Sequence, residues 1–195
     1  MAKELKKSKI YFVIGGPGSG KGTQCQKLAE EFQLTHVSTG DLMRKEIESG
    51  SEVGGRVKDL VASGQLVPND VTLLILKKHL IQEAPKSKGF LIDGYPRELA
   101  QAIAFEKEAG NVLRVFFFEV SDETMKARLL GRAATSGRSD DNETSIASRI
   151  ATFQTNNKSI LDHFTKKKKL CKINAQGSAD EVYALTKNAF NAKKC

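Results

Sequence analysis

The strongest indication of the fold is the glycine-rich stretch Gly15-Gly16-Pro17-Gly18-Ser19-Gly20-Lys21-Gly22-Thr23. An apolar run at residues 10–14 precedes it, and a stretch with a helical pattern follows it. Between a strand and a helix, such a loop turns its backbone N–H groups inward and brings the Lys21 ammonium to the terminal phosphates of a nucleotide. Five glycines within nine residues are entropically costly unless the backbone must approach a ligand closely. The stretch therefore predicts a phosphate-binding loop.

The loop departs at one position from the common pattern, which places Ser or Thr directly after the Lys. Here Gly22 intervenes, and Thr23 carries the hydroxyl. The hydroxyl of such a loop serves the Mg²⁺ that accompanies the phosphates. We therefore expect Thr23 to lie near a magnesium ion and to reach it through water.

The charge of the chain is strongly positive, with 31 basic and 23 acidic residues and a formal net charge of +8. The lysines are scattered or lie in the run at residues 166–169, which contains no aromatic residue and is typical of a solvated helix end. Six of the eight arginines fall instead in the motif segments described below. Because a guanidinium makes forked contacts with phosphate oxygens, this distribution favours small nucleotides as ligands. We expect no nucleic-acid partner.

The length of 195 residues allows one domain, at residues 1–195, with room for a small inserted lobe. The N-terminus is polar and begins no long apolar segment, and neither end carries a lipidation motif. We therefore expect a cytoplasmic protein with no membrane partner.

Short apolar runs alternate with helical patterns, which predicts an α/β protein with a parallel sheet and helices on both sides. The predicted strands lie at residues 10–14, 35–38, 90–93, 113–120 and 170–174. The predicted helices lie at residues 21–32, 41–49, 52–63, 70–82, 98–109, 122–130, 142–164 and 179–190. Expected helix caps are Asn69, Ser121 and a capping box of Ser178 with Glu181. Sheets of this kind bind ligands beyond the carboxyl ends of their strands.

A second segment with phosphate chemistry is Asp93-Gly94-Tyr95-Pro96-Arg97. Asp93 ends the third predicted strand, where its carboxylate can hold a water of Mg²⁺. Arg97 follows after one tight turn and can clamp a phosphate. The alternative for Asp93 is a simple cap that bonds to nearby backbone at the strand end.

A third segment is Ser38-Thr39-Gly40-Asp41-Leu42-Met43-Arg44, in which a short strand turns into a helix. The first turn of that helix could hold a second anion. Alone, the segment would equally be an ordinary capped turn.

Four arginines lie in or beside the segment at residues 132–141, namely Arg128, Arg132, Arg138 and Arg149. That segment has no apolar period and is rich in small residues, so we predict a mobile loop that joins two helices. Asp140 and Asp141 can orient the guanidinium groups. A solvated face is the alternative, and the preference for Lys elsewhere in the chain argues against it.

Taken together, these segments resemble the adenylate kinases of the nucleoside monophosphate kinase family, in their short-lid cytosolic form. The resemblance spans nearly the whole chain and also rests on Gly64-Gln65-Leu66-Val67-Pro68 and Ser136-Gly137-Arg138-Ser139-Asp140-Asp141-Asn142. It implies a three-layer P-loop NTPase fold, a sheet in the order 2-3-1-4-5, a monophosphate-binding lobe at residues 38–67, a lid at residues 131–141 and a monomer.

By the same resemblance, the chain is a transferase that moves a phosphoryl group reversibly from ATP to AMP with Mg²⁺ and gives two ADP. The resemblance assigns ATP to Gly18, Ser19, Gly20, Lys21, Gly22, Thr23, Arg128, Arg132 and Gly177. It assigns AMP to Thr39, Arg44, Gln65, Leu66, Val67, Gly94, Tyr95, Pro96, Arg97, Gln101, Arg138 and Arg149. The expected catalytic set is Lys21, Arg97, Arg132, Arg138 and Arg149, supported in the lid by Asp140 and Asp141, with Asp93 and Thr23 serving the metal.

No histidine stands out as a general base, since His36, His79 and His163 share no spacing. None is needed if the acceptor is a monophosphate, because its attacking oxygen is already largely ionised at neutral pH. The protein must then align two anions and neutralise charge on the transferred group.

Thr39 and Gln101 are the residues that indicate which base the acceptor carries. A Gln amide donates and accepts hydrogen bonds as the adenine edge requires. The similar UMP/CMP kinases tend to carry Ala and Asn at these two places, so adenylate is favoured and UMP/CMP kinase is the alternative.

An alternative hypothesis assigns the chain to another class of protein. It would be a nucleotide switch or a basic nucleic-acid-binding module that uses the loop only to bind a nucleotide. A guanine-binding switch would need Asn-Lys-x-Asp, and Asn157-Lys158-Ser159-Ile160 lacks the Asp and lies within a predicted helix.

Overall fold

A computed structural model describes residue 5, residues 7–138 and residues 140–192. Ser139 of the expected lid lies outside the described residues, as do both ends of the expected domain. The described chain holds five strands, all parallel, in the order β2-β3-β1-β4-β5. They are β1 (Ile10–Gly15), β2 (Thr35–Ser38), β3 (Phe90–Asp93), β4 (Val112–Glu119) and β5 (Leu170–Asn174). The predicted α/β class, the parallel sheet and its strand order are confirmed.

The helices have bounds close to those predicted from the sequence, except at the end of α6. They are α1 (Lys21–Phe32), α2 (Thr39–Glu48), α3 (Glu52–Ala62), α4 (Asn69–Glu83), α5 (Leu99–Glu108), α6 (Asp122–Ser136), α7 (Glu143–Lys166) and α8 (Ala179–Asn191). Every helix in the described chain is too short or too polar to cross a lipid bilayer.

The sheet separates two apolar cores because the side chains of β1 alternate between its faces. Ile10, Phe12 and Ile14 face a core that includes residues of α4, α5 and α7, in which the rings of Phe12 and Phe105 meet edge to face with centroids 5.0 Å apart. Val13 faces the other core, which α1 and α8 cover. A third, smaller core joins α2 and α3 to α4. The segment between β2 and α4 therefore packs as a separate small lobe on the main body.

Two of the three expected caps are confirmed. The Ser121 hydroxyl accepts from the Thr124 backbone N–H, and Ser178 with Glu181 forms the complete capping box of α8. The expectation for Asn69 is wrong, because α4 begins at that residue and Pro68 occupies the cap position. Proline has no side-chain acceptor, so α4 starts without a side-chain cap.

The prediction of a loop over residues 132–141 is wrong for its first half. Helix α6 continues six residues beyond the predicted end at residue 130 and stops at Ser136, where Gly137 takes the left-handed conformation (φ 61°). Ala133 and Ala134 are strong helix formers, and their intrinsic preference outweighs the lack of an apolar stripe. The connection between α6 and α7 is therefore short, and its described residues are 137, 138 and 140–142.

Candidate functional site

The phosphate-binding loop joins β1 to α1, and its glycines allow its backbone to pack closely against α6. Gly18 has φ 77°, and a Cβ atom there would lie 2.7 Å from the Met125 carbonyl oxygen. Gly20 stands at the N-cap of α1, and no side chain of the described chain caps the first turn of that helix. The N–H groups of that turn are therefore left for an anion, as the sequence predicts.

The Lys21 side chain folds back over this loop. Its ammonium donates to the carbonyl oxygens of Gly15 (2.9 Å) and Gly16 (2.7 Å) and to the Ser19 hydroxyl (3.2 Å). Burial lowers the pKa of Lys21 to about 8, against the opposing effect of Asp93 and with a further contribution from Arg97. Without phosphates, the ammonium is thus held by weak neutral acceptors, which a triphosphate can replace.

Asp93 lies at the carboxyl end of β3, next to the ends of β1 and β2 in the sheet. Its Oδ2 is 3.3 Å from His36 Nε2, whereas its buried Oδ1 accepts no hydrogen bond from the described residues. A buried carboxylate oxygen without a donor fits a hard divalent cation or its water, and the exposed Thr23 hydroxyl lines the same cleft. The donor set therefore fits Mg²⁺.

A cleft of about 500 Å³, here called the main cleft, opens above these strand ends. Most of the predicted site residues line it, including both members of the predicted metal pair. They are Gly18, Gly20, Lys21, Gly22, Thr23, Arg44, Leu66, Asp93, Gly94, Pro96, Arg97, Arg128, Arg132, Arg138, Asp140 and Arg149.

A second space of about 50 Å³, here called the side cavity, lies between the small lobe and the main body. Ten of the twelve residues expected at the acceptor line it, and Pro96 and Arg138 line the main cleft instead. The ten are Thr39, Arg44, Gln65, Leu66, Val67, Gly94, Tyr95, Arg97, Gln101 and Arg149. Arg44, Arg97 and Arg149 line both spaces.

Hydrogen bonds fix the wall of the side cavity. The Thr39 hydroxyl is 3.1 Å from the carbonyl oxygens of Asp93 and Gly94. The Gln101 Oε1 accepts from the Arg97 backbone N–H at 2.8 Å, and the Tyr95 hydroxyl donates to the Gln101 carbonyl at 2.9 Å. The amide group of Gln101 is therefore oriented, and its oxygen is already in use as an acceptor.

Carboxylates of the α6–α7 loop hold one arginine of each flanking helix in place. Arg132 binds Asp141 through two nitrogen atoms, at 2.8 and 2.5 Å, and Arg149 contacts Asp140 Oδ2 at 2.9 Å. Burial alone would raise the pKa of Asp141, but hydrogen bonds from Arg132 and Ser136 lower it to about 2. Asp141 therefore stays ionised and keeps the Arg132 guanidinium oriented.

Ion pairs also connect the small lobe to the α6–α7 loop. Arg44 bonds to Asp41 within α2 and lies 3.7 Å from Asp140, and Arg138 lies 3.6 Å from Asp41. Burial opposes ionisation of Asp41, yet the hydrogen bonds from Arg44 and Ser38 hold its pKa below the ordinary value. An incoming phosphate therefore meets guanidinium groups that carboxylates already orient.

Three predicted residues lie outside both spaces. Ser19 is buried and holds Lys21, and Asp141 is buried beneath Arg132. Gly177 lies at the loop after β5, where its carbonyl oxygen accepts from Arg128 at 3.2 Å. Arg128 also donates to the carbonyl oxygens of Ala175 and Gln176, so it braces this loop at the rim of the main cleft.

Sequence reasoning missed several residues that line the side cavity, among them Met43, Val61, Gly64 and Thr72. Gly64 has φ 73°, and a Cβ atom there would lie 2.7 Å from the Ser145 carbonyl oxygen. Gly64 could have been recognised, because it directly precedes Gln65 in the segment at residues 64–68. The apolar residues gave no signal, because a helix side chain that lines a cavity and one that packs in a core follow the same period.

The chain is similar to known proteins along nearly its whole length. Residues 13–169 match the family model described as adenylate kinase. The chain is 49% identical to adenylate kinase isoenzyme 1 of Caenorhabditis elegans over 177 residues, which are 90% of this chain and 84% of the relative. It is 48% identical to adenylate kinase 1 of Schistosoma mansoni over 181 residues, 93% of this chain and 92% of the relative. With adenylate kinase isoenzyme 1 of Homo sapiens, the identity is 43% over 194 residues and the full length of both.

Proposed function

The chain belongs to the adenylate kinase family, and we propose that its main cleft binds ATP, its side cavity binds AMP, and the phosphoryl group passes between them. Its enzyme class is that of the family, a nucleoside monophosphate phosphotransferase. Neither the family match nor these relatives favour the UMP/CMP kinase alternative.

The observation that carries the proposal is the pair of spaces with arginines in common. Arg97 and Arg149 line both the main cleft and the side cavity, so the two meet where guanidinium groups cluster. Arginines that reach both a donor and an acceptor align two anions and neutralise the charge on the transferred group. A protein that only docks one nucleotide has no use for the second space.

The residue roles follow from this arrangement. Lys21 and the N–H groups at the start of α1 hold the terminal phosphates of ATP, with Arg132 on the transferred group. Arg44, Arg97, Arg138 and Arg149 hold the acceptor phosphate, while Thr39 and Gln101 orient the base. The acceptor is already ionised, so no residue must act as a general base.

Asp93 and Thr23 hold Mg²⁺, since the carboxylate has a buried oxygen without a donor and the hydroxyl lines the same cleft. When bound, the ion neutralises oxygens of the phosphate chain. The protein's own part is to place Asp93 at the strand end beside the loop.

We also propose the lobe assignment and the setting. Residues 38–67 form the monophosphate-binding lobe, residues 131–141 act as the lid, and closure keeps water from the phosphoryl group. The protein is a cytoplasmic monomer that interconverts ATP, AMP and ADP and thereby balances the adenine nucleotides.

Substitution of two arginines assigned to the acceptor phosphate tests the proposal. Arg97→Ala and Arg138→Ala each remove a donor to the reacting phosphates, so we expect turnover to fall about 100-fold, the usual cost of losing one preorganised donor. ATP affinity, measured by calorimetry, should change little. Arg56→Ala is the matched control, since Arg56 is exposed on α3 and lines neither space. Near-normal turnover in either variant would show that its proposed role is wrong.

A further inference from the structure

A thiol, an imidazole and a carboxylate meet at the floor of the main cleft. Cys25 lies on α1, His36 on β2 and Asp93 at the end of β3. Their sulfur, nitrogen and oxygen atoms all lie within 4.8 Å of one another, and His36 Nε2 is 3.3 Å from Asp93 Oδ2. Three neighbouring elements thus bring three different metal-ligating groups to one point.

The chemistry of this set differs from that of a magnesium site. Mg²⁺ takes oxygen ligands, and it does not displace a proton from a thiol. A thiolate, an imidazole and a carboxylate together are typical ligands of Zn²⁺ and similar borderline-soft cations, which accept three protein ligands and leave a position for water. The set therefore selects for thiophilic divalent cations.

Access from solvent and an unpartnered carboxylate oxygen support binding at this point. His36 and Asp93 line the main cleft, so an ion can enter from solvent although Cys25 itself is buried. Asp93 Oδ1 is buried and lacks a hydrogen bond from the described residues, which leaves a negative oxygen in need of a partner.

We infer that Cys25, His36 and Asp93 form a binding site for a thiophilic divalent cation of the Zn²⁺ or Cd²⁺ class, and that its occupation inhibits phosphoryl transfer. On binding, the S–H bond breaks, a sulfur–metal bond forms and the proton passes to solvent, with no change of oxidation state. Inhibition follows because the bound cation takes the Asp93 carboxylate that serves Mg²⁺. The inhibition rests on the proposed function, whereas the binding does not.

Direct binding of Cd²⁺ to the full chain without nucleotide is the first test. Cadmium bound to a thiolate gives a charge-transfer absorption band in the ultraviolet, so the band reports ligation by sulfur whether or not the protein transfers phosphate. We expect the wild-type chain to show the band with one equivalent of Cd²⁺, and Cys25→Ala to lose it. Persistence of the full band in Cys25→Ala would overturn the inference.

The histidine separates a three-ligand site from a lone thiol. His36→Gln should weaken Cd²⁺ binding at least about 10-fold, since the loss of even an outer-shell partner commonly costs that much. His79→Gln, which removes a histidine of α4 outside the cluster, should leave the affinity unchanged. An unchanged affinity in His36→Gln would overturn the inference. Circular dichroism confirms that each variant is folded.

The activity test uses the same variants with ATP, AMP and Mg²⁺. Cd²⁺ should inhibit the wild-type chain, and Cys25→Ala should need at least about 10-fold more Cd²⁺ for the same inhibition. A chain that binds Cd²⁺ through Cys25 yet keeps full activity would contradict the inhibitory part. Cysteines outside the cluster are controlled by the double variant Cys171→Ser/Cys195→Ser, which keeps Cys25 as its one cysteine and should be inhibited as the wild type is.

Discussion

Lys21 has neutral partners in this structure, and in its proposed role it exchanges them for the phosphates of ATP. Burial lowers its pKa to about 8, whereas an ordinary lysine stays charged to about pH 10. If Lys21 binds the phosphates as proposed, they favour its charged form, and ATP binding then draws a proton onto Lys21 when the pH exceeds its pKa in the free protein. This proton uptake makes ATP affinity sensitive to pH in a range where phosphate itself no longer titrates.

We therefore predict that the KM for ATP rises up to about 10-fold between pH 7 and pH 9, while kcat stays nearly constant. The sign follows from the lowered pKa: the ammonium is present below about pH 8 and is lost above it. Steady-state kinetics across this range measure the effect. Lys21→Arg keeps its charge throughout, so its KM should show no such rise, and a flat profile for the wild type would refute the assignment.

Gln101 offers a second test at single-residue scale, because it holds the Arg97 backbone and also borders the side cavity. If its amide recognises adenine, Gln101→Asn should lower kcat/KM for AMP by about 10-fold or more, the cost of an unmade hydrogen bond in a buried site. The informative quantity is the ratio of kcat/KM for AMP to that for CMP. A fall of both values by the same factor would mean that Gln101 only positions Arg97.

At the scale of elements, α6 and α7 are joined through Asp141. The Arg132 fork reaches it from α6, and Arg149 lies 3.2 Å from it on α7. Because this carboxyl is nearly fully buried, its pKa of about 2 corresponds to about 2 kcal/mol of folding stability relative to an unfolded carboxyl. The contribution is present above about pH 4 and disappears as the pH falls towards 2.

Asp141→Asn should therefore lower the melting temperature at pH 7 by about 4–8 °C. Calorimetry at several pH values measures the difference from the wild type, which should shrink as the pH falls below 4 because the wild-type carboxyl then becomes neutral too. Asp59→Asn changes an exposed carboxylate on α3 and is the control. An equal loss of stability at all pH values would show that the charge of Asp141 is not what joins the helices.

Local sequence signals predicted the elements where they agreed with one another. Strands β2, β3 and β5 and helix α1 have the bounds read from the sequence, since apolar runs, caps and turn residues there all indicate the same structure. The end of α6 was missed because its last turn has no apolar stripe, and Ala133 and Ala134 extend it on helix preference alone. Asn69 was misread because Pro68 takes the cap position itself.

The site was predictable in its polar part and not in its apolar part. Lys21, Asp93 and the arginines carry chemistry that can be recognised from residue type and position in the sequence. Met43 and Val61 reach the side cavity only because α2 and α3 fold back as a separate lobe, which depends on contacts distant in sequence. The cluster of Cys25, His36 and Asp93 could not be predicted without the strand order, because its residues come from three different elements.

At the scale of the whole molecule, the positive charge is organised in two ways. Scattered lysines lie at the surface, whereas the motif arginines converge on the main cleft and on the ion pairs between the small lobe and the α6–α7 loop. The side cavity, at about 50 Å³, is smaller than the roughly 300 Å³ of ordinary small-molecule sites. If AMP binds in the side cavity as proposed, its entry requires the small lobe to move, and the ion pairs open or rearrange with that movement.

A series of acceptors tests whether the main cleft and the side cavity bind ATP and AMP as donor and acceptor. The purified chain is given ATP and Mg²⁺ with AMP, CMP, UMP or GMP in turn, and the diphosphates formed are measured by chromatography. We expect AMP to be by far the best acceptor, with two ADP formed at each turnover. A preference for CMP or UMP would contradict the adenylate assignment, and no transfer to any acceptor would contradict the phosphotransferase function proposed for the two spaces.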